Sequence, residues 1–289
     1  CMVVGIVIGS GVFFKAQTIL QKTGGNMPLG ILAWIIGGVI MLTCLLAFSV
    51  MAQKFEKVNG IVDYAEACVS SRYAYYIGWF LSIIYYPCLT SVLAWLSARY
   101  TLVFITSVAP NFPLLGLGAA AGAETILGPE CMSLAMFYLC CAYAVNALSP
   151  KLAGKLQVST TIIKLIPLFL MAIAGIVVGI ANGTLANNFK TLADVGAANA
   201  TGSPLLASVC ATAFAYEGWI IATSINAELK DAKKNLPRAL VIGAIIIIAT
   251  YIFYYVGVAG GATNQELIDS GATVAFINVF GNVLGDILN

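Results

Sequence analysis

The sequence predicts an all-α, polytopic membrane protein built around two broken helices. Three observations carry this. Apolar residues make up 61% of the 289 residues and charged residues only 9%, with a mean hydropathy of +0.96. A soluble domain averages nearer 25% charged, so a globule with this composition has too few polar groups to cover its surface. The apolar residues fall in runs of bilayer-spanning length, near 20 residues each. Two of those runs carry helix breakers at their centres.

In order, the apolar runs are 2–20, 28–53, 75–108, 129–148, 156–181, 204–227 and 238–262, and a partial eighth begins near 272. The run 75–108 exceeds one crossing and implies tilt or extension beyond the bilayer. Segment 55–74 reads as a loop with an amphipathic helix. Segment 109–128, rich in Gly, Ala and Pro, reads as an irregular outer loop. "NAELKDAKKNLPRAL", 226–240, reads as a helix end, a tight loop and a new helix with Pro237 near its first position. The chain opens on Cys1 inside an apolar run and closes as another helix starts, which suggests a piece of a longer protein.

Charge sets the expected topology. With the N-terminus cytosolic, inner segments hold nine Lys and Arg (54, 57, 72, 151, 155, 230, 233, 234 and 238) and outer segments four (15, 22, 99 and 190). That agrees with the positive-inside rule. The net charge of +2 gives no case for nucleic acid. There is no histidine, which removes the commonest general base and metal ligand. The eight cysteines lie mostly in apolar runs without metal-site spacing, so neither a disulfide framework, a metal nor a cofactor is expected. No paired carboxylates share a helix face, which speaks against an enzyme. A channel or a binding-only sensor is the remaining class. Two separately broken helices suit a closed single-substrate pocket better than a continuous pore.

The first run contains "GIVIGSGVFF", 5–14. A helix-interior glycine costs about 1 kcal/mol relative to alanine. One explanation is packing, because Gly5 and Gly9 form GxxxG. The other is an interruption at Gly9-Ser10-Gly11, after which a new half-helix starts with free N–H groups and a positive dipole end. Ser10, Gly11 and Val12 then offer donors to a carboxylate. The sixth run is interrupted at "FAYEGW", 214–219, where Glu217 lies at a depth that is expensive for an acid. It either faces a water-filled cavity or serves function, and unwound carbonyls beside it could accept from an ammonium group. Paired broken spans five helices apart point to an inverted-repeat transporter fold with its site at the breaks. One transmembrane domain, 1–289, then comprises a first repeat over 1–181 and the start of a second over 204–289.

Lys164 in "TTIIKLIPLF" lies about eight residues into its run, a climb of about 12 Å. Snorkelling over that distance is long for a lysine, so an inward-facing ammonium is favoured. It could bridge helix ends, stand in for a metal cation or carry a proton. Of Tyr251, Tyr254 and Tyr255 in the seventh run, where tyrosine is often an interface belt residue, Tyr251 lies deep enough to need a hydrogen-bond partner and is the better candidate.

"GSGVFF", "FAYEGW" and "NAELKDAKKNLPRAL", each at its helix, resemble the L-type amino-acid transporter family of the amino acid–polyamine–organocation superfamily. The resemblance covers residues 1 to about 262 and implies twelve helices in five-plus-five inverted repeats, of which this chain would hold the first seven and the start of the eighth. It implies a substrate carboxylate at Ser10 and Gly11, with Gly9 and Val12 adjacent. It implies a substrate amine on carbonyls of Val7, Phe214 and Glu217, with Ala215 between. Phe214 resembles the external gate, Lys164 a lysine in the sodium-site region of coupled relatives, and Tyr251 a bacterial helix 7 tyrosine. Many members carry glycine where Glu217 stands. No cysteine lies in 109–128 and Cys131 is at the helix edge, so no disulfide-linked heavy chain is expected. The expectation is a sodium-independent exchanger of neutral L-amino acids in the plasma membrane, with lipid and an amino-acid substrate as its partners. The alternative is a proton-coupled symporter that accepts cationic amino acids.

Overall fold

A computed structural model of the chain describes residues 2–9, 11–55, 60–108, 128–190, 203–228, 231–281 and 285. Among these, all regular structure is helical. Segment 109–127 lies outside the described residues, as do Ser10 and the loop residues 229–230.

The first apolar run is two helices, α1 (Met2–Val7) and α2 (Gly11–Lys22). A turn follows, with Gly24 and Gly25 at φ of 62° and 81°. Asn26 then caps α3 (Met27–Lys54) by accepting from the Leu29 N–H. The amphipathic segment is α4 (Ile61–Cys68). Ser70 caps α5 (Ser71–Phe80), which runs through a π turn at Leu81–Tyr85 into α6 (Tyr86–Val108). Pro87 brings no N–H to the ladder there, and the Tyr86 N–H reaches back five residues to the Leu81 carbonyl.

The remaining helices are α7 (Pro129–Leu148), α8 (Pro150–Ala181), α9 (Thr184–Lys190), α10 (Pro204–Ala215), α11 (Ala232–Gly261), α12 (Asn264–Ser270) and α13 (Ala272–Phe280). A 3₁₀ segment over Trp219–Glu228 follows α10. Among the described residues, five helices are long and apolar enough to cross a membrane: Met27–Lys54, Ser71–Leu102, Pro129–Leu148, Lys151–Ala181 and Lys233–Gly261. The chain is a multi-pass membrane protein. The first and sixth runs fall below that length because each is interrupted.

Two boundaries correct the sequence reading. The fifth span begins at Pro150, a favourable first helical residue, so Lys164 is the fifteenth residue of α8 rather than about the eighth of its span. Pro237 is not at the first position of α11 but at its sixth. The helix nucleates earlier because the Asp231 carbonyl accepts from the N–H groups of both Lys234 and Asn235. Pro237 then removes one later ladder bond from an otherwise sound helix.

The chain forms two compact units, one of residues 1–64 and 157–289, the other of residues 65–156. In the smaller unit α6 packs on α7 through Ala94, Ala98 and Leu102 against Cys131 and Ala135. Thr101 and Tyr138 share a hydrogen bond of 2.9 Å between them. In the larger unit α3 is the central strut, because its glycines admit neighbours. A Cβ at Gly30 would fall on the Tyr255 hydroxyl, one at Gly37 on Thr212, and one at Gly38 on Ile248. Close approach at small residues is how helices gain packing energy in lipid. A second such seam joins α8 to α11, with Gly175 and Gly179 set against the backbone of Gly257 and Gly260.

Candidate functional site

The larger unit brings the two interruptions side by side. A Cβ on Gly11, the first residue of α2, would stand 3.0 Å from the Cα of Ala215, the last residue of α10. Gly218, at φ 99°, turns the chain out of α10, and a Cβ there would stand 2.9 Å from Ile6 of α1. Glycine is required at Gly218 on both counts. The broken ends of α1, α2 and α10 therefore meet.

A break leaves backbone groups without helical partners: carbonyls at the C-terminal ends of α1 and α10, N–H groups at the start of α2. With no water in a bilayer core, each needs another partner. Two side chains supply the carbonyls. The Lys164 ammonium donates to the Gly5 carbonyl at 2.5 Å. A cation there also meets the negative end of the α1 dipole. The Tyr251 hydroxyl lies 3.0 Å from the Val7 carbonyl and 2.8 Å from the Ala215 carbonyl, and its one proton is shared between them. Tyr251 thus ties the end of α1 to the end of α10 from α11. The N–H groups of Gly11, Val12 and Phe13, in the first turn of α2, have no acceptor within the helix. They form a donor set beside the two carbonyl ends.

The GxxxG pair divides. Gly5 packs on α8, where a Cβ would fall on Thr161 and Gln157. A Cβ at Gly9 would meet nothing within 4 Å. Gly5 is therefore a packing glycine whose carbonyl serves Lys164, and Gly9 borders open space in the break. Val7 and Val12 have buried side chains, so their part in the site is confined to backbone groups. The Val7 carbonyl, which the family resemblance assigns to a substrate amine, already accepts from Tyr251 and has one lone pair left. Glu217 is half-buried in the second break, between Tyr216 and Gly218. The Phe214 ring is 39% exposed, and the Lys15 ammonium stands 5.3 Å from its centroid.

Sequence reasoning missed the support behind Tyr251. Trp34 of α3 is fully buried, with ring centroids 5.2 Å from Tyr251 and 5.6 Å from Tyr216. The Tyr216 hydroxyl donates to the Trp34 carbonyl at 2.9 Å. The signal was only a tryptophan between glycines in "GILAWIIGG", which does not show which way α3 faces. No group of three or more potential metal-ligating side chains occurs among the described residues.

A family model described as amino acid permease matches residues 1–289. The chain belongs to the amino acid permease family. Among relatives, the serine/threonine exchanger SteT of Bacillus subtilis (strain 168) is 28% identical over 291 residues, covering 100% of this chain and 60% of that protein. The Asc-type amino acid transporter 1 of Mus musculus is 25% identical over 277 residues, 94% of this chain and 48% of that protein. The large neutral amino acids transporter small subunit 2 of Homo sapiens is 28% identical over 280 residues, again 94% and 48%. This permease chain spans 60% of SteT and about half of the two mammalian relatives. These relatives are named as transporters and exchangers, not as enzymes.

Proposed function

We propose that this chain carries the substrate-binding half of a sodium-independent exchanger of neutral L-amino acids. The observation that carries the reading is the meeting of the two breaks under Tyr251 and Lys164. An amino acid's main-chain groups match what the breaks offer. Its carboxylate suits the N–H groups from Gly9 to Val12 at the positive start of α2, Ser10 among them, although Ser10 lies outside the described residues. Its ammonium suits the remaining lone pairs of Val7, Phe214, Ala215 and Glu217 carbonyls. Contacts to the main-chain groups are the same whichever neutral side chain the ligand carries, which fits relatives named for serine and threonine, for Asc-type amino acids and for large neutral amino acids.

Sodium independence rests on Lys164. Its fixed ammonium on the Gly5 carbonyl supplies the positive charge that a bound cation would bring to that end of α1. Residues 1–181 would form the first inverted repeat and 204–289 the start of the second. The protein would lie in the plasma membrane with its N-terminus cytosolic, as the charge asymmetry asks. It would work without a disulfide-linked heavy chain, Cys131 being buried between α6 and α7.

The test is uptake of radiolabelled L-alanine by proteoliposomes holding the full-length protein, in sodium-free buffer. Uptake that depends on unlabelled amino acid inside supports exchange. Uptake indifferent to internal substrate but driven by a pH gradient replaces exchange with proton symport. Uptake that collapses without sodium overturns the role given to Lys164.

A further inference from the structure

Lys15 is set where helix electrostatics would not place a cation. It is the fifth residue of α2, about 6 Å along the axis from Gly11. Cations stabilise the C-terminal end of a helix, and α2 presents its positive end to the break. The compensation is the aromatic ring of Phe214, in the last turn of α10, with the Lys15 ammonium 5.3 Å from its centroid. That is within range of a cation–π contact. Gly11 lies against the same ring, since a Cβ there would stand 3.4 Å from Phe214 Cδ1. Lys15 is half-buried and Phe214 is 39% exposed, so the described residues do not enclose the pair at the junction of α2 and α10.

Among the described residues of α2 and of the two breaks, the other charges are few. Besides Lys15, α2 carries only Lys22, at its far end; the second break carries Glu217; and Lys164 is held on Gly5. Glu217 alone would draw in cationic side chains. Lys15 adds a fixed positive charge to the positive start of α2. It also occupies the aromatic surface that an incoming cationic side chain would use.

We propose that Lys15 is a specificity-determining residue that excludes amino acids with cationic side chains by holding an ammonium over Phe214 beside the two breaks. This rests on the amino-acid reading above and names its substrate class. Attraction for the carboxylate common to all substrates is unaffected in sign, so discrimination falls on the side chain alone.

The experiment compares unlabelled L-arginine and L-serine as inhibitors of L-alanine uptake by the full-length protein in proteoliposomes. In Lys15→Gln the ratio of the arginine to the serine inhibitory concentration should fall by about tenfold, as Coulomb's law gives for unit charges about 12 Å apart at an effective dielectric constant near 20. Lys15→Arg keeps the charge and should keep the wild-type ratio. If Lys15→Gln does not fold, as judged by size-exclusion chromatography, Lys15→Met carries the same expectation. An unchanged ratio in a folded neutral variant, or lost discrimination in Lys15→Arg, overturns the assignment while leaving amino-acid transport in place. A wild-type protein that takes up no amino acid overturns the transport reading itself and this proposal with it.

Discussion

Replacing Tyr251 by phenylalanine removes one buried oxygen from the junction of α1, α10 and α11 and tests how the breaks are held. The ring stays, with its contacts to Trp34 and Tyr216 at centroid distances of 5.2 Å each. What goes is the donor shared by the Val7 and Ala215 carbonyls. An orphaned buried polar group costs about 1–3 kcal/mol. Side-chain hydrogen bonds measured inside a membrane protein average about 0.6 kcal/mol and reach about 1.7. One proton serves both carbonyls, so the two losses do not simply add, and the expected cost is about 1–2 kcal/mol. Purified Tyr251→Phe should unfold several degrees below wild type in detergent and exchange L-alanine about tenfold more slowly, tenfold being 1.4 kcal/mol in an activation free energy. Tyr251→Leu should be worse still, because each aromatic pair adds about 0.5–1.5 kcal/mol beyond area burial. Wild-type melting and wild-type exchange in Tyr251→Phe would refute the claim that this hydroxyl ties α1 to α10.

Other predictions follow from single contacts. Lys164→Met removes a charged donor from the Gly5 carbonyl, a bond worth about 1.5–3 kcal/mol, and sodium-free uptake should fall at least about tenfold without rescue by added sodium. Gly257→Ala places a Cβ 2.5 Å from the Ala172 Cα and 2.6 Å from the Met171 carbonyl oxygen, both backbone atoms that cannot swing aside. It should cost about 1–3 kcal/mol in thermal unfolding, whereas Gly154→Ala, whose Cβ meets nothing within 4 Å, should be near neutral on packing grounds. Asn188 donates to the Ala259 and Ala262 carbonyls at 2.7 Å each and accepts from the Asn264 N–H at 3.0 Å. Asn188→Ala should therefore cost about 2 kcal/mol or more and speed hydrogen exchange at the start of α12.

The uninterrupted spans were legible in the sequence because lipid demands long apolar runs. The second span, read as 28–53, is Met27–Lys54, and the fourth, read as 129–148, is Pro129–Leu148. The interruptions were visible as glycines, since a backbone that leaves helical geometry in an apolar run needs them. What glycine chemistry does not reveal is which side of a helix it lies on. Gly5 and Gly9 looked equivalent, yet one packs on α8 and the other borders open space. Hydrophobicity all round a span erases the polar face that would fix its rotation, so nothing showed that Trp34 backs Tyr251, or that Gly175 and Gly179 meet α11. The short helices α9 and α12 are below the length a span pattern detects. Their asparagines, Asn188 and Asn264, are buried and bonded to each other and to the turn at Gly25, information carried only by tertiary contacts.

On the reading proposed above, the broken ends of α1, α2 and α10 hold the main-chain groups of an amino acid. Gly9→Cys places a thiol at the position in the break where an added Cβ meets nothing within 4 Å. Its modification by a maleimide in the full-length protein, measured above the labelling of the parent's own cysteines, reads occupancy of the break. Protection by L-alanine, with none from L-alanine methyl ester, which has lost the carboxylate charge, is the predicted result. Labelling unaffected by L-alanine in a variant that still transports it would place the substrate elsewhere and contradict the account.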